Sequence, residues 1–586
     1  MKVEDLAQVS AFAKYKENGS KNKSQKVSNA GIVKKSKKQL KKQQLKKALQ
    51  QKKNKDIAEK EPKVQVTPKN SSSKEVKQNK KSKKKPVKQI IEVEDSDDEE
   101  IPQLIEPFIE VEEATPETDL SGFLKQTPNI SFPKKTETLL KWLLHPILPK
   151  DFFEDYWEES PLYIKHNNEK YFSQILTSSD IDLMLREHPL YFSRNVDMVI
   201  YKDGSRITEN PVGRARASIV WDAYAAGYSI RILNPQTYNI KVQLLLSTLQ
   251  EYFGTMVGAN VYLTPAGSQG FAPHYDDIEA FVIQLEGRKH WKLYKPVNDD
   301  SNLARFSSND FKREELGEPL IEVTLNAGDL LYFPRGVVHE AKTDDEMHSL
   351  HVTLSTYQRT AYADLLEELL PQALQRAAAN NIEYRKGLPI GYLKHMGAFN
   401  SDNSEVRQQI EKNVCKLIKM LPTYACTPTA VDKLGRKFMH DAVPPVLDLQ
   451  EKECSSMYDG DKLYKGRLVE RAEITPDTEI RILRYYAVRL VVENQEVNLY
   501  YCTENSKVYH EEEQQYITID ADMIPIVVDL IKSYPKFLPV ENLPCDDMEK
   551  KMSFITTLWD YGIIVTNERL EINEDDDITD TDSSDD

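Results

Sequence analysis

Three residues that can bind a transition metal lie in two short segments of the sequence. His274 and Asp276 are two positions apart, and residues i and i+2 of a β-strand point to the same side. The second segment, 328–339, is an apolar run that ends in a Pro-x-Gly turn followed by His339. The two segments together offer two imidazole nitrogens and one carboxylate. This facial triad leaves coordination positions open, as in non-haem Fe(II) oxygenases.

Either segment alone carries little weight, since a His-x-Asp pair is common in surface strands and turns. The G-x5-P-x-G-x2-H pattern from Gly328 to His339 is tighter. Between the two segments lie the β-rich runs 280–285, 288–294 and 320–325, and several short strands with turn signals are typical of a barrel or sandwich. Glu286-Gly287 is expected to turn the chain between the first two runs. The combination favours a metal site inside a β-barrel.

The run 288–294 also places a lysine among apolar residues. Alternation puts Lys289, Trp291 and Leu293 on one face of the strand. A cation on an apolar face is costly to bury unless an anion meets it, so Lys289 is expected to meet a carboxylate inside the barrel. The alternative is a lysine at the barrel rim whose ammonium reaches water. His351, on a later strand, is expected to be an ordinary interior residue and not a metal ligand.

Several stretches resemble a JmjC oxygenase. From about residue 135 to about residue 570 the chain is similar to the nucleolar ribosomal oxygenases, a family of bifunctional lysine-specific histone demethylases and histidyl-hydroxylases. The stretches that carry the resemblance are Tyr156-Trp157-Glu158-Glu159-Ser160-Pro161-Leu162, residues 274–281, residues 284–291 and the segment 328–339.

The resemblance implies an α+β multidomain fold. A double-stranded β-helix (JmjC/cupin) barrel would be followed by a helical dimerisation module and a winged-helix-like C-terminal domain. The expected boundaries are 1–120 for a disordered Lys-rich arm and acidic linker, 121–360 for the barrel with its N-terminal helices, 361–454 for the helical module, 455–570 for the winged-helix-like domain and 571–586 for an acidic disordered tail.

The resemblance also implies the chemistry. His274, Asp276 and His339 would hold Fe(II) and be the catalytic residues, with 2-oxoglutarate as cosubstrate and O2 as oxidant. Lys289 stands at the family position that binds the distal carboxylate of 2-oxoglutarate. By the same resemblance, Asn260, Tyr262 and Ser355 would line the cosubstrate or substrate pocket. Arg231, flanked by apolar residues on a likely strand, is a candidate for a substrate contact.

The implied substrates are a histidine of a large-subunit ribosomal protein and methyl-lysine on the histone H3 tail, the latter with a role in chromatin and transcription regulation. The ligand set does not separate these two outcomes. A methyl-ammonium group usually needs an aromatic cage, and none is identifiable in the sequence, which favours the histidine. Two further alternatives are a zinc or manganese cupin enzyme such as a sugar isomerase, and a non-catalytic chromatin or ribosome-assembly scaffold with a vestigial barrel.

Charge is distributed unevenly along the 586 residues, a length that indicates two to four domains. The net charge is −15, but residues 1–90 hold 28 Lys, no Arg and 7 acidic residues, giving +21 there and −36 in the remainder. The Lys clusters at 34–47 and 81–85 favour targeting to the nucleus and nucleolus. The alternatives are sequence-blind RNA binding and a solvated charge run without a partner. Residues 92–118 are acidic and are expected to form a linker.

The remaining features bound the function class. Five cysteines form no CxxC pair, which fits a reducing compartment without a zinc finger. No apolar run reaches about 18 residues, so no membrane span is expected, and a charged start at Lys2 argues against a signal peptide. DNA-reading winged helices carry a basic recognition helix, whereas the helices expected at 523–533 and 548–561 hold few lysines beside Asp529, Glu549 and Asp560, and Asp546 and Asp547 precede the second. We therefore expect that domain to contact protein.

Overall fold

The computed structural model of the chain describes residues 108–111, 132–298, 301–400, 403–493, 495–508 and 511–572. The predicted Lys-rich arm, most of the predicted acidic linker and residues 573–586 of the predicted acidic tail lie outside these ranges. The described residues all belong to one compact unit, so the boundaries expected at 360 and 454 stay a prediction.

Strand β1 (Phe108–Glu110) lies inside the segment expected to be a linker, and the expectation is wrong at these residues. It pairs in parallel with β2 (Leu162–Lys165). The Phe108 and Tyr163 rings are 5.1 Å apart, and the Lys165 ammonium donates to a Glu110 carboxylate oxygen at 2.7 Å. An apolar contact and an ion pair thus attach this part of the acidic run to the sheet edge.

Helices and strands then alternate up to the first strand of the metal-binding region. Helix α5 shows why they form: the Asn239 side chain accepts hydrogen bonds from the amides of Lys241 and Val242, and Gly254 ends the helix with a left-handed backbone. The elements are α1 (Phe132–Leu144), α2 (Pro149–Asp155), α3 (Ser178–Glu187), β3 (Val196–Lys202), β4 (Ser205–Thr208), α4 (Ala217–Ala225), β5 (Ser229–Leu233), α5 (Ile240–Phe253) and β6 (Gly258–Thr264).

A single sheet joins these strands to the next five. Its order is β1-β2-β9-β7-β11-β6-β5-β3-β4, with β8 and β10 paired to β7 as well. The first half of β7 pairs with β9 and β11, and its second half pairs with β8 and β10. The five strands are β7 (Glu279–Tyr294), β8 (Ile321–Asn326), β9 (Leu330–Phe333), β10 (Val338–Lys342) and β11 (Ser349–Thr356).

The turn expected at Glu286-Gly287 does not form, and that prediction is wrong. Strand β7 continues as one strand of 16 residues. Gly287 has φ +63°, and a Cβ atom there would lie 1.9 Å from the carbonyl oxygen of His348. The register with β11 shifts between Leu350 and His351. Gly287 is therefore a local irregularity in a continuous strand, at a backbone position that only glycine occupies without strain.

The two faces of β7 contact different cores. Phe281 and Ile283 belong to a cluster with Leu139 of α1 and Leu245 of α5. Val282, Trp291 and Leu293 belong to a second cluster that includes Leu331 and Phe333 of β9. Helices thus cover one face of the sheet, while the second cluster lies next to the predicted metal ligands.

Helices follow the sheet, as the leucine periodicity predicted, and a mixed domain with its own apolar core comes last. Among the described residues, none of the helices has both the length and the apolar character that crossing a membrane requires. The elements are α6 (Tyr362–Asn380), α7 (Glu405–Met420), α8 (Thr427–Asp441), α9 (Leu449–Glu453), β12 (Lys462–Tyr464), β13 (Arg467–Val469), β14 (Glu479–Ile482), β15 (Val488–Glu493), β16 (Glu496–Tyr501), β17 (Tyr516–Ile519), α10 (Ile524–Ser533), β18 (Leu538–Pro539), α11 (Met548–Asp560) and β19 (Ile564–Thr566).

Candidate metal centre

The two predicted histidine ligands are joined through their backbones. The His274 amide donates to the His339 carbonyl oxygen at 3.2 Å, and the His339 amide donates to the His274 carbonyl oxygen at 2.8 Å. This isolated antiparallel bridge brings together residues that are 65 positions apart in the sequence. The ring centroids lie 4.5 Å apart. The backbone therefore fixes the relative position of the two imidazoles before any ion binds.

Hydrogen bonds orient both rings in the same way. Nδ1 of His274 lies 2.8 Å from the carbonyl oxygen of Ala272, and Nδ1 of His339 lies 3.2 Å from that of Val337. A carbonyl oxygen only accepts, so each Nδ1 carries the proton and each Nε2 keeps its lone pair. Such a backbone partner on the second nitrogen is the usual support of a metal-binding histidine.

Asp276 completes the cluster. Its Oδ2 atom lies 3.8 Å from Nε2 of His274 and 3.9 Å from Nε2 of His339. The ligand atoms of the three residues all lie within 4.8 Å of one another, and the cluster contains no fourth His, Cys, Asp or Glu among the described residues. A structural zinc site closes with four ligands, whereas two nitrogens and one carboxylate with open positions suit Fe(II). The donor set therefore fits the predicted iron.

The protonation states of His339 and Asp276 also favour the binding of a metal cation. Burial, with His274 as the second cause, lowers the pKa of His339 to about 4 against a smaller opposing effect of Asp276. Burial alone would raise the pKa of Asp276, but His274 and His339 outweigh it and hold this pKa below its usual value. At neutral pH the His339 imidazole is neutral and the carboxylate is ionised, which are the forms that bind metal ions.

Lys289 lies in the interior, as predicted, with only 5% of its surface exposed. Its ammonium donates to the Thr264 hydroxyl at 3.1 Å, and it forms no ion pair with any acid of the described residues. Burial lowers the pKa of this lysine to about 7. Since a buried cation needs an anion, the site fits the distal carboxylate of a bound dicarboxylate. That role stays a prediction.

The other predicted pocket residues lie on neighbouring strands. Tyr262 pairs across the sheet with His351 on one side and Arg231 on the other, and its ring stacks on His351 with centroids 4.9 Å apart. Asn260 is two residues from Tyr262 on the same face of β6, and Ser355 lies opposite Gly258 of β6. The structure thus brings these residues to adjacent strands, and their contacts with a ligand stay predictions.

Arg231 is buried beside the pocket and already has an acidic partner. Its guanidinium makes a short ion pair with Asp197 through Nη2, and its Nε lies 3.1 Å from the same carboxylate oxygen. It also interacts with the Tyr262 hydroxyl. Its predicted contact with substrate stays a prediction, and the structure shows its guanidinium in contact with both Asp197 and Tyr262.

Sequence reasoning missed Arg206 and Phe271. The Arg206 guanidinium lies over the Phe271 ring at 4.6 Å, and the centroid of that ring is 6.2 Å from that of His274. Asp203-Gly204 is a hairpin-turn signal that places Arg206 opposite Tyr201. Nothing in the sequence shows that this hairpin lies against the loop before His274, because that contact depends on the sheet order.

Two family models match the chain. The model described as "JmjC domain" matches residues 231–365, and that described as "Ribosomal oxygenase 1, C-terminal winged helix domain" matches residues 443–570. The first range contains all three predicted metal ligands and Lys289. The predicted α+β fold, with a JmjC barrel and a winged-helix domain after it, is therefore confirmed.

Relatives match most of the chain. Ribosomal oxygenase 1 of Gallus gallus is 46% identical over 441 residues, covering 75% of this chain and 73% of that protein. The bifunctional lysine-specific demethylase and histidyl-hydroxylase NO66 of Aedes aegypti is 43% identical over 429 residues, covering 73% and 67%. A solved structure, ribosomal oxygenase YcfD of Escherichia coli, aligns over 72% of this chain and 98% of its own, with 16% identity and a TM-score of 0.39.

Proposed function

Because the chain belongs to the ribosomal oxygenase family of JmjC proteins, which are Fe(II)- and 2-oxoglutarate-dependent enzymes, we propose that it hydroxylates a histidine of a large-subunit ribosomal protein. The observation that carries this proposal is the cluster of His274, Asp276 and His339, whose ligand atoms lie within 4.8 Å of one another. The names of the relatives supply the substrate class.

The three clustered residues would hold the iron. When bound, Fe(II) with 2-oxoglutarate and dioxygen supplies the oxidation of one C–H bond, while 2-oxoglutarate is converted to succinate and carbon dioxide. The bridge between His274 and His339 keeps both Nε2 atoms directed to one point. Ser307 donates to the other Asp276 oxygen at 3.3 Å, so Oδ2 remains available. These contacts orient the ligands and exclude alternative ring positions.

Lys289 would bind the distal carboxylate of 2-oxoglutarate. The Thr264 hydroxyl, 3.1 Å from the ammonium, can share that carboxylate because a hydroxyl both donates and accepts. Ionisation of the carboxylate would stabilise the charged form of Lys289 against the effect of burial. Asn260, Tyr262 and Ser355 would line the remainder of the pocket, and Arg231 would contact the substrate.

Demethylation of methyl-lysine on the histone H3 tail is the second candidate, because relatives at 43% identity bear the name lysine-specific demethylase as well as histidyl-hydroxylase. Oxygen insertion at a histidine carbon gives a stable alcohol. Insertion at an N-methyl group gives a hemiaminal that releases formaldehyde. The same ligand cluster supports both reactions, and it counts against a scaffold with a vestigial barrel because all three ligands lie together.

Partners and location belong to the same proposal. The acidic remainder of the chain, at −36, would attract a basic ribosomal or histone tail. The Lys-rich arm would direct the protein to the nucleus and nucleolus and would bind RNA without sequence preference. Leu366, Leu370 and Leu374 recur every four residues along α6 and are 44%, 46% and 52% exposed, so this apolar stripe would pair with a second copy. Light scattering measures the mass in solution.

Mass spectrometry of two peptides tests the proposed function. One peptide carries the histidine of a ribosomal loop, and the other is a trimethyl-lysine histone H3 tail. Each is incubated with the protein, Fe(II), 2-oxoglutarate and ascorbate, with Asp276→Ala as the control. We expect one added oxygen atom on the first peptide. Loss of methyl groups from the second alone would favour demethylation, and no 2-oxoglutarate turnover with either would favour the scaffold.

A further inference from the structure

Two arginines lie over one aromatic ring beside the metal centre. The guanidinium carbon of Arg206 is 4.6 Å from the Phe271 centroid, and that of Arg231 is 5.5 Å from it. The Phe271 ring also contacts Tyr262, with centroids 5.4 Å apart and the planes nearly perpendicular. Phe271 lies three residues before His274. Phe271 is therefore a half-buried aromatic ring beside a metal ligand, and cations already cover it.

The two arginines differ in their neutralisation. Arg231 pairs with the buried carboxylate of Asp197. Arg206 makes no hydrogen bond or ion pair with any residue that the structure describes. Asp310 and Asp197 attract it only at longer range, and the charge of Arg231 opposes them. Asp310 is exposed, so solvent screens its effect. Arg206 thus keeps a positive charge that no neighbour cancels at close range.

The charges of Asp276 and Lys289 would be balanced when the cofactors bind under the proposed function. Asp276 ligates the metal together with the two histidines, and Lys289 meets the distal carboxylate of the cosubstrate under the proposed function. Arg206 then keeps an uncompensated positive charge over Phe271, beside the metal ligand His274. A methylated lysine is a fixed cation that needs a free aromatic face or a carboxylate, and here it would meet a like charge. A neutral imidazole would meet no such penalty.

We propose that Arg206, over the ring of Phe271, is a specificity-determining residue that rejects cationic side chains and so selects a neutral histidine over a methylated lysine. This inference rests on the proposed function of the site. It also gives a physical reason why a centre able to oxidise either C–H bond would prefer one substrate class, since like charges across an interface suppress the wrong partner.

Binding of three matched peptides tests this inference. They share one sequence and differ at one position, which carries histidine, trimethyl-lysine or the neutral carbon isostere of trimethyl-lysine. Fluorescence anisotropy is measured with Fe(II) and 2-oxoglutarate under argon, so that no turnover occurs. The wild type should bind the neutral isostere about tenfold more tightly than trimethyl-lysine, and Arg206→Gln should remove most of that difference. Raising the salt concentration should reduce the difference between the two affinities in the wild type.

Three variants serve as controls. Arg206→Lys keeps the charge and should keep the discrimination. Lys202→Gln removes an exposed cation from the same hairpin and should leave the ratio unchanged. Arg206→Met repeats the charge removal if Arg206→Gln does not fold. The inference would be overturned if Arg206→Gln and Arg206→Met both kept the wild-type ratio of affinities for the isostere and trimethyl-lysine peptides. It would also be overturned if Lys202→Gln changed that ratio equally.

Turnover of the histidine peptide by the wild type is measured separately. If it is absent, the proposed function fails while the binding ratios still decide the role of Arg206. If turnover is present and the ratios do not respond to Arg206→Gln, the proposed function stands and the inference about Arg206 fails.

Discussion

Two parts of the molecule bury charged side chains, and they do so in opposite ways. At the junction of α5, α9 and the segment before β15, Arg484 is 1% exposed and binds both carboxylate oxygens of Glu451, one at 2.6 Å. Arg481 donates to the same carboxylate at 3.0 Å. Burial alone would raise the pKa of Glu451, but these two arginines outweigh burial and lower this pKa to about 2. We call Glu251, Glu451, Arg481 and Arg484 the junction cluster.

The metal centre lacks this mutual compensation. Among the described residues, neither Nε2 of His274 nor that of His339 makes a hydrogen bond, and the Lys289 ammonium donates only to a neutral hydroxyl. Buried polar groups that satisfy one another stabilise the fold, whereas groups that lack partners need a ligand. Burial alone therefore does not mark a functional site. The difference lies in whether each buried group already has its partner.

Removing a metal ligand should have the largest effect. His339→Ala is expected to prevent stable metal binding and to lower 2-oxoglutarate turnover by more than about a hundredfold, since loss of an outer partner alone costs about 10–100-fold. Metal content after dialysis and succinate formation measure this. His290→Ala is the matched control, because that histidine pairs with Glu322 on the outer side of β7. Retention of metal and turnover by His339→Ala would contradict the assignment.

Breaking the junction cluster should affect stability and not metal binding. Arg484→Met leaves the Glu451 carboxylate buried with Arg481 as its one cationic partner among the described residues, so the free energy of unfolding should fall by about 3 kcal/mol. Denaturant unfolding measures this, and metal content should not change. The double variant Arg484→Met with Glu451→Met should regain most of the loss, because the Glu451 carboxylate is no longer buried without Arg484. Equal losses in the single and double variants would show that packing, not charge pairing, dominates there.

Lys289 should respond in the opposite direction. Without cosubstrate, Lys289→Met removes a buried cation that has no acidic partner, and we expect the free energy of unfolding to rise by about 1 kcal/mol. With 2-oxoglutarate the same change should raise KM for the cosubstrate by at least about tenfold, since its carboxylate loses a buried partner. Lys292→Met, on the solvent side of β7, is the control. If Lys289→Met is less stable than the wild type without cosubstrate, then Lys289 stabilises the fold as the junction cluster does, and the prediction is wrong.

The sequence predicts features whose cause is local. The spacing predicted one strand face for His274 and Asp276. The structure gives His274 an isolated bridge and places Asp276 before β7 begins at Glu279, yet both side chains still reach one point. The Pro-x-Gly turn before His339 is visible in the chain itself. The resemblance to a family supplied Lys289 and the domain order. The continuity of strand β7 was not predicted, because a glycine such as Gly287 occurs both in turns and in strand bulges. The carbonyl oxygen of His348 leaves no room for a Cβ atom at this position, so glycine is required whether the chain turns or continues.

Contacts between distant segments could not be predicted. Arg206 lies near His274 only because the hairpin β3–β4 packs at the end of the sheet order, and no periodicity records that order. Glu451 and Arg484 find each other across 33 residues, and each appears in the sequence as one charge among many. The sequence therefore predicts the ligands of the site better than it predicts the groups that surround them.

Within the junction cluster, Glu251 is the member whose charge is poorly compensated. Burial raises its pKa to about 7, with Arg484 opposing only in part. Since the ordinary value is 4.5, the folded protein binds more protons than the unfolded chain between about pH 4.5 and about pH 7. Stability from this group is therefore fully present below that window and is lost as the pH rises through it.

Glu251→Gln should remove that loss, because the amide oxygen can still accept the Tyr486 amide at 3.5 Å without carrying a charge. We expect the variant to be more stable than the wild type by about 3 kcal/mol above pH 7 and equally stable near pH 4. Glu451 titrates in both proteins, so its effect cancels in the difference. Urea unfolding across pH 4–8 measures it, with exposed Glu187→Gln as the control. If the free energies of unfolding of the wild type and Glu251→Gln change in parallel from pH 4 to pH 8, the charge of Glu251 is compensated as fully as that of Glu451.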